Sequence, residues 1–131
     1  MIGFAQIRWL RLILAAFLVE LVLFALVVPL RFLPNGFRIE LAAVLPACVA
    51  AAFLGGWWVA ARARLAPVLH GTLVGVAAAL MYAALTWKYT LPGIFVAANY
   101  AKVLGGAAGG AAARHRLKRT AGATPEGTAA G

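Results

Sequence analysis

Glu20 and Lys102 are ionisable residues that lie inside long apolar stretches of the chain, and they have the greatest capacity for chemistry. A charge at the centre of a bilayer costs at least about 2.5 kcal/mol, so such residues usually pair with one another or line a polar path. A Glu and a Lys at one depth can form an ion pair that fixes helix packing, or the Glu can carry protons in a transporter. The sequence leaves both roles open. Asn99 lies one helical turn before Lys102, where its amide is expected to offer hydrogen bonds on the same face.

Long apolar stretches are the elements that must position these side chains. Crossing about 30 Å of hydrocarbon takes about 20 helical residues, because backbone polar groups have no partners in lipid. Four stretches meet that length, and they predict helices over residues 9–30, 41–61, 68–87 and 93–113. Glu20 lies as far from Trp9 as Lys102 lies from Ala113, so the two charges should share one depth in antiparallel helices.

The composition agrees with a membrane protein. Hydrophobic residues make up 65% of the 131 residues and charged residues 11%, against about 45 to 50% and about 25% in typical soluble domains. The connections between the stretches are too short to hold a folded domain, and they make adjacent helices antiparallel neighbours. The sequence therefore predicts an all-α integral membrane bundle of four transmembrane helices in residues 1–113.

The basic residues set the expected orientation. The formal charge is +9, but nearly all Lys and Arg residues lie at the ends of apolar stretches, where they anchor helices to headgroups. This placement argues against a nucleic-acid partner. Eight basic residues fall on the side of both termini (Arg8, Arg11, Arg62, Arg64, Arg114, Arg116, Lys118 and Arg119) and three on the other (Arg31, Arg38 and Lys88). Both termini are predicted to be cytoplasmic. Residues 114–131 are predicted to form a tail that is first basic and then disordered.

Small residues recur at four-residue spacing in the third and fourth stretches. Such rows let two helix backbones approach closely, which matters in lipid because hydrophobic exclusion does not drive helices together there. They do not distinguish packing within one chain from dimerisation. The residues predicted to form these packing faces are Gly71, Gly75, Ala79 and Ala83 in the third stretch, and Gly105, Gly106, Gly109 and Gly110 in the fourth.

The residues of a catalytic or cofactor site are hard to assemble from this sequence. It contains no Asp, no combination of nucleophile, base and orienting group, and no phosphate-binding loop between a strand and a helix. His70 is expected to be the one intramembrane His, which is too few for a haem pair or a multi-ligand metal site. Cys48 is a single cysteine, so an internal disulfide is excluded. We expect no catalytic residues, no metal, no cofactor and no enzyme activity.

A run from Gly55, GGWWVAARARLAPVLHGTLVGVAAALMY, and the segment KVLGGAAGG from Lys102 carry a family resemblance. With a double Gly near the end of helix two and a double-Gly repeat in helix four, the chain resembles the YrzE-like family of bacterial four-helix membrane proteins. The resemblance spans helices two to four, and it implies a fold and a membrane location but no activity. The small multidrug transporters are similar in having four helices and a Glu in the first. Beyond Glu20 this chain departs from their third-helix aromatic and Gly pattern, and it has a Lys in helix four.

Two function classes follow from these features. The first is a non-catalytic multi-pass protein of a cell membrane that acts through helix association with itself or with a membrane partner. We expect a bacterial inner membrane, and the preference for Arg over Lys together with abundant Ala and Gly is typical of GC-rich coding. The second is a small proton-coupled transporter that works as a homodimer and uses Glu20. A free Glu20 facing a cavity would favour transport, whereas a Glu20 buried against Lys102 would favour a structural role.

Overall fold

The fold is all-helical. A computed structural model describes residues 9–63, 65–90 and 92–122, and within these ranges the chain forms four helices. They are α1 (Trp9–Leu30), α2 (Gly36–Ala60), α3 (Pro67–Thr86) and α4 (Gly93–Gly122). The all-helical class predicted from the sequence is confirmed.

Three of these helices have the length and composition of membrane spans. The helices α1, α2 and α3 are each long and apolar enough to cross a bilayer. In α4 the glycines, Asn99, Lys102 and a basic C-terminal part lower the apolar content. The expectation of a membrane-type helical protein is therefore supported by three candidate spans.

Two helix boundaries differ from the predicted ones by several residues, while both ends of α3 and the end of α2 differ by one residue. Helix α2 begins at Gly36 rather than at residue 41, because the tight turn ends at Asn35 and residues 36–40, including the polar Arg38 and Glu40, belong to the helix. Helix α4 continues beyond residue 113 through the basic segment to Gly122, since Arg, Leu and Lys are good helix formers. The predicted disordered part of the tail is helical as far as Gly122, and the remainder lies outside the described residues.

The helices are arranged with α1 and α4 on opposite sides of the bundle. Helix α4 packs on α2 and α3, and α1 packs on the same two helices from the other side. In the described ranges, α1 and α4 do not approach each other backbone to backbone. Helices α2 and α4 run parallel, as shown by the contacts of Gly105 with Val49 and of Gly109 with Phe53.

Glycines bring the helix backbones together in one half of the bundle. A Cβ atom added to Gly56 would lie 2.6 Å from the carbonyl oxygen of Gly106, and one added to Gly105 would lie 2.6 Å from that of Val49. Such separations leave no room for a side chain. We call this region the closed half, and its defining residues are Gly56, Gly71, Gly75, Gly105, Gly106, Gly109 and Gly110.

The core of the bundle is thin and its exterior is apolar. Ala residues such as Ala16, Ala52 and Ala78 are fully buried, whereas large apolar side chains such as Leu80 and Leu104 are mostly exposed. A monomeric soluble protein rarely exposes so much contiguous apolar surface. This inside-to-outside distribution suits a protein whose surroundings are lipid.

Candidate functional site

Glu20 and Lys102 form a buried ion pair in the middle of the bundle. The Nζ atom of Lys102 donates a hydrogen bond to Oε1 of Glu20 at 2.6 Å. The two residues are only 5% and 2% exposed. Lys102 Nζ also lies 4.5 Å from the ring centroid of Tyr82, a distance at which the ring face attracts the ammonium group. Each charge is therefore compensated by the other within an apolar interior.

The pair connects two helices that otherwise do not meet. Glu20 is on α1 and Lys102 is on α4, and the described parts of these helices make no backbone contact with each other. The long side chains reach across the gap. The pair therefore links α1 to α4 across the bundle, although the two helices do not pack tightly on each other.

A cavity of about 420 Å³ fills this gap. Its lining residues all fall within residues 20–31, 37–48, 82–90 and 92–102, so they come from the half of the bundle opposite to the glycine contacts. Glu20 and Lys102 form the inner end of the cavity, and the exposed residues Arg31 and Tyr89 lie near its outer end. We call this region, defined by the cavity lining, the open half.

A second acidic residue, Glu40, lines the same cavity. It is only 7% exposed, although it lies just one turn from the start of α2. Its Oε2 atom lies 3.8 Å from Nε of Arg31, whose side chain is 68% exposed. That separation is too long for a hydrogen bond. The charge of Glu40 is thus compensated less completely than the charge of Glu20.

Two buried acceptor atoms in the cavity lining have no hydrogen-bond partner within the described part of the chain. They are Oε2 of Glu40 and Oδ1 of Asn99. The hydrogen bond expected for Asn99 on its own helix face is absent for this oxygen among the described residues. Buried polar atoms without partners are rare in native structures, and each one needs an explanation.

Aromatic and apolar side chains form the remaining walls. The rings of Tyr82 and Phe95 stack with centroids 6.4 Å apart, and other aromatic rings belong to Phe24, Phe37 and Tyr89. The thiol of Cys48 also belongs to the lining. The site combines a few polar groups with an apolar wall, which is the usual composition of a small-molecule pocket.

The small-residue rows lie where α4 meets α2 and α3. Gly71 packs against Gly106 and Gly110, and Gly75 packs against the backbone of Lys102 and Val103. Gly105 and Gly109 of α4 face α2 instead. In α3 the row ends early, because Ala79 is half-buried and Ala83 is exposed. The contacts that the structure shows for these glycines are within one chain.

Sequence reasoning missed Glu40 and Tyr82. Glu40 was assigned to the connection before the second helix, but it belongs to α2 and shares a buried face with Val44 and Cys48. The four-residue spacing of these three residues was the signal that could have identified it. Tyr82 lies one helical turn after the buried Ala78 in α3 and lines the cavity. A Tyr hydroxyl within an otherwise apolar helix was the signal that could have identified it.

The polar groups around the cavity are suited to binding a small molecule. In residues 9–63, 65–90 and 92–122, no three side chains of His, Cys, Asp or Glu come together as metal ligands would. Two carboxylates, an ammonium group, a guanidinium group and an amide surround the cavity. These groups can hold the polar part of a small molecule while the aromatic rings hold its apolar part.

Comparison of the chain with models of protein families, with curated proteins and with solved structures gave no match. The resemblance to the YrzE-like family therefore has no support from these comparisons and stays a prediction.

Proposed function

We propose that this protein is a non-catalytic, four-span protein of a bacterial inner membrane that binds a small molecule in the cavity of its open half. The observation that carries this proposal is the cavity of about 420 Å³ with the buried ion pair at its inner end. Its size falls in the range of about 300 to 1,000 Å³ that is usual for small-molecule sites. Its walls are apolar, and its polar groups are few.

The packing of α4 supports its role as the fourth span. Glycines of α4 allow it to pack closely on α2 and α3, and both of these helices are apolar enough to cross a bilayer. Its outer face presents Val96, Tyr100 and Leu104, which are spaced by one helical turn and largely exposed. In lipid this face would meet acyl chains, whereas in water it would be an unsatisfied apolar surface.

The basic asymmetry of the helix ends supports an orientation with both termini in the cytoplasm. A direct test uses the variants Asn35→Cys and Thr120→Cys, each in a Cys48→Ala background. In intact cells an impermeant thiol reagent should label the cysteine at position 35 and spare the one at position 120. Equal labelling of the two would contradict the four-span topology, and the reverse pattern would contradict the orientation.

Binding in the cavity is tested by filling it. Ala98 is 3% exposed and lines the cavity, whereas its neighbour Ala97 is exposed and does not line it. Ala98→Trp should abolish the stabilisation of the purified chain by a panel of small cationic, neutral and anionic amphiphiles, and Ala97→Trp should retain it. The measurement is thermal unfolding in detergent. If no member of the panel stabilises the natural chain, or if Ala98→Trp leaves the response intact, the proposal fails.

Proton-coupled transport is a second candidate, and the mid-membrane position of the ion pair favours it. Ionisable groups inside membranes commonly belong to ion pathways. The 2.6 Å contact with Lys102 opposes a role for Glu20 as a free proton carrier. Association with a second copy or with another membrane protein receives less support, because the glycine rows of α3 and α4 are occupied within one chain.

A further inference from the structure

The two carboxylates of the cavity are in different electrostatic situations. Glu20 is 2.6 Å from an ammonium group that is itself buried. Glu40 faces Arg31 at 3.8 Å, and the guanidinium side chain is mostly in contact with solvent. Coulomb attraction is strong only where both charges are shielded from water. Glu40 is therefore a buried carboxylate that lacks a matched buried cation.

The partnerless atoms of the cavity both require donors. A carboxylate oxygen of Glu40 and the amide oxygen of Asn99 are acceptors without a donor in the described part of the chain. Hydrogen bonds between an ionised and a neutral or charged partner are stronger than those between neutral groups. A ligand that suits these two atoms carries N–H groups and a positive charge.

The aromatic walls favour the same kind of ligand. The ring of Tyr82 already attracts the ammonium group of Lys102, but the rings of Phe24, Phe37, Tyr89 and Phe95 also line the cavity. Aromatic faces attract cations and also provide contact area for an apolar body. An anionic ligand would be repelled by the Glu40 carboxylate and by the partial negative charge of the ring faces.

We propose, resting on the proposed binding function, that the ligand is an organic ammonium ion with at least one N–H group and an apolar body, held by Glu40 and Asn99. The Glu20–Lys102 pair limits the depth of the site. The ammonium group supplies the donors that the two acceptors lack. The apolar body lies against the aromatic walls.

The test uses four probes with one apolar body: phenylbutylammonium, its trimethylammonium analogue, phenylbutanol and phenylbutyrate. Cys48 lines the cavity and is the single cysteine, so the rate of its alkylation by N-ethylmaleimide reports occupancy locally. The thermal unfolding temperature of the full chain in detergent is the second measurement. Phenylbutylammonium should slow alkylation and raise the unfolding temperature at concentrations about tenfold or more below those needed by the other three probes.

Variants separate the contribution of each group. Glu40→Gln and Asn99→Leu should each weaken phenylbutylammonium binding by about tenfold or more. Arg31→Gln removes the guanidinium group that faces Glu40, so it should strengthen phenylbutylammonium binding. Because the Arg31 side chain is largely exposed, this variant should still fold. Arg38→Gln is the control, since Arg38 is exposed and does not line the cavity.

Failure of the ligand class and failure of the binding function give different results. If phenylbutanol or phenylbutyrate protects Cys48 as well as phenylbutylammonium does, or if Arg31→Gln weakens the ammonium probe, the ligand class is wrong while the cavity still binds. If the trimethylammonium probe, which has no N–H group, were equally potent, the proposed hydrogen bonds to Glu40 and Asn99 would be wrong. If no probe of any charge slows alkylation or raises the unfolding temperature, the binding function itself is wrong.

Discussion

The closed half and the open half are built from the same four helices, yet they pack in opposite ways. In the closed half, glycines let the backbone of α4 touch those of α2 and α3. In the open half, aromatic and charged side chains replace the glycines, and the helices enclose a cavity of about 420 Å³. Residue size at the helix contacts therefore decides where this helical bundle is tight and where it leaves space.

The ion pair lies at the boundary between the two halves. Gly75 contacts the backbone of Lys102, while the side chain of the same residue reaches into the cavity towards Glu20. One residue thus takes part in the tight packing and in the polar site. Substitutions in the closed half should therefore alter the geometry of the ion pair, and substitutions of the ion pair should alter the packing of the closed half.

The largest effect is expected from breaking the ion pair. Glu20→Gln or Lys102→Met leaves one buried charge without its partner, which should lower the free energy of unfolding by about 3 to 5 kcal/mol. The double variant leaves no uncompensated charge, so its loss should be smaller than the sum of the two single losses. Unfolding by denaturing detergent, followed by circular dichroism, measures all four proteins of the cycle.

The same cycle distinguishes the two function classes that the sequence left open. If Glu20 acts as a proton carrier rather than as a structural partner, Glu20→Gln should be tolerated by the fold and should abolish proton-coupled activity without rescue by Lys102→Met. Strictly additive losses in the double-mutant cycle would mean that the two charges do not stabilise each other.

A smaller effect is expected from adding one methyl group in the closed half. Gly75→Ala would direct a Cβ atom at the carbonyl oxygen of Lys102, which is backbone and cannot rotate away. Overpacking of this kind should lower the free energy of unfolding by about 1 to 3 kcal/mol. Thermal unfolding in detergent provides the measurement.

Two other glycines give graded controls for this experiment. A Cβ atom at Gly55 would come too close only to the side chain of Val19, at 2.7 Å, and that side chain can adjust. Its next neighbours, Cγ1 of Val74 at 3.5 Å and the carbonyl oxygen of Ala15 at 3.9 Å, are at ordinary contact distances. A Cβ atom at Gly93 would meet nothing within 4 Å. The order of destabilisation should be Gly75→Ala, then Gly55→Ala, then Gly93→Ala. Equal responses would mean that close backbone contact does not distinguish the closed half.

The predictable part of this molecule is the part that depends on local composition. Apolar length indicated the helices, because backbone groups in lipid leave few other structures. The equal depth of Glu20 and Lys102 followed from helical rise, and the structure places them in contact. These inferences require only distances measured along the chain.

The cavity was not predictable because it depends on which helices become neighbours. A Glu20–Lys102 pair suggested that helices one and four would pack on each other, yet α1 and α4 lie on opposite sides of α2 and α3 and only the two side chains meet. The buried position of Glu40 was missed for a different reason, since the turn before α2 is shorter than the polar residues suggested. The arrangement of the helices decides the cavity, whereas the four-residue spacing of Glu40, Val44 and Cys48 did indicate a buried position for Glu40.

The smallest expected effect compares the turns at the two ends of the bundle. Asn35 at the open end and Ala66 at the closed end both have left-handed backbone conformations, with φ of 61° and 46°. Asn tolerates this conformation, whereas a residue with a plain Cβ pays about 1 to 2 kcal/mol for it. The carbonyl of Ala66 accepts a hydrogen bond from Nδ1 of His70 at 3.0 Å, and a Gly at position 66 would keep that backbone acceptor. Because Gly loses more chain entropy on folding, Ala66→Gly should raise the free energy of unfolding by only about 0.5 to 1 kcal/mol. Asn35→Gly should change it by less than about 0.5 kcal/mol, since no comparable strain is relieved there. Paired unfolding curves in the same detergent measure both variants. A stabilisation by Asn35→Gly that equals or exceeds that of Ala66→Gly would show that the closed end does not hold its turn under greater strain than the open end.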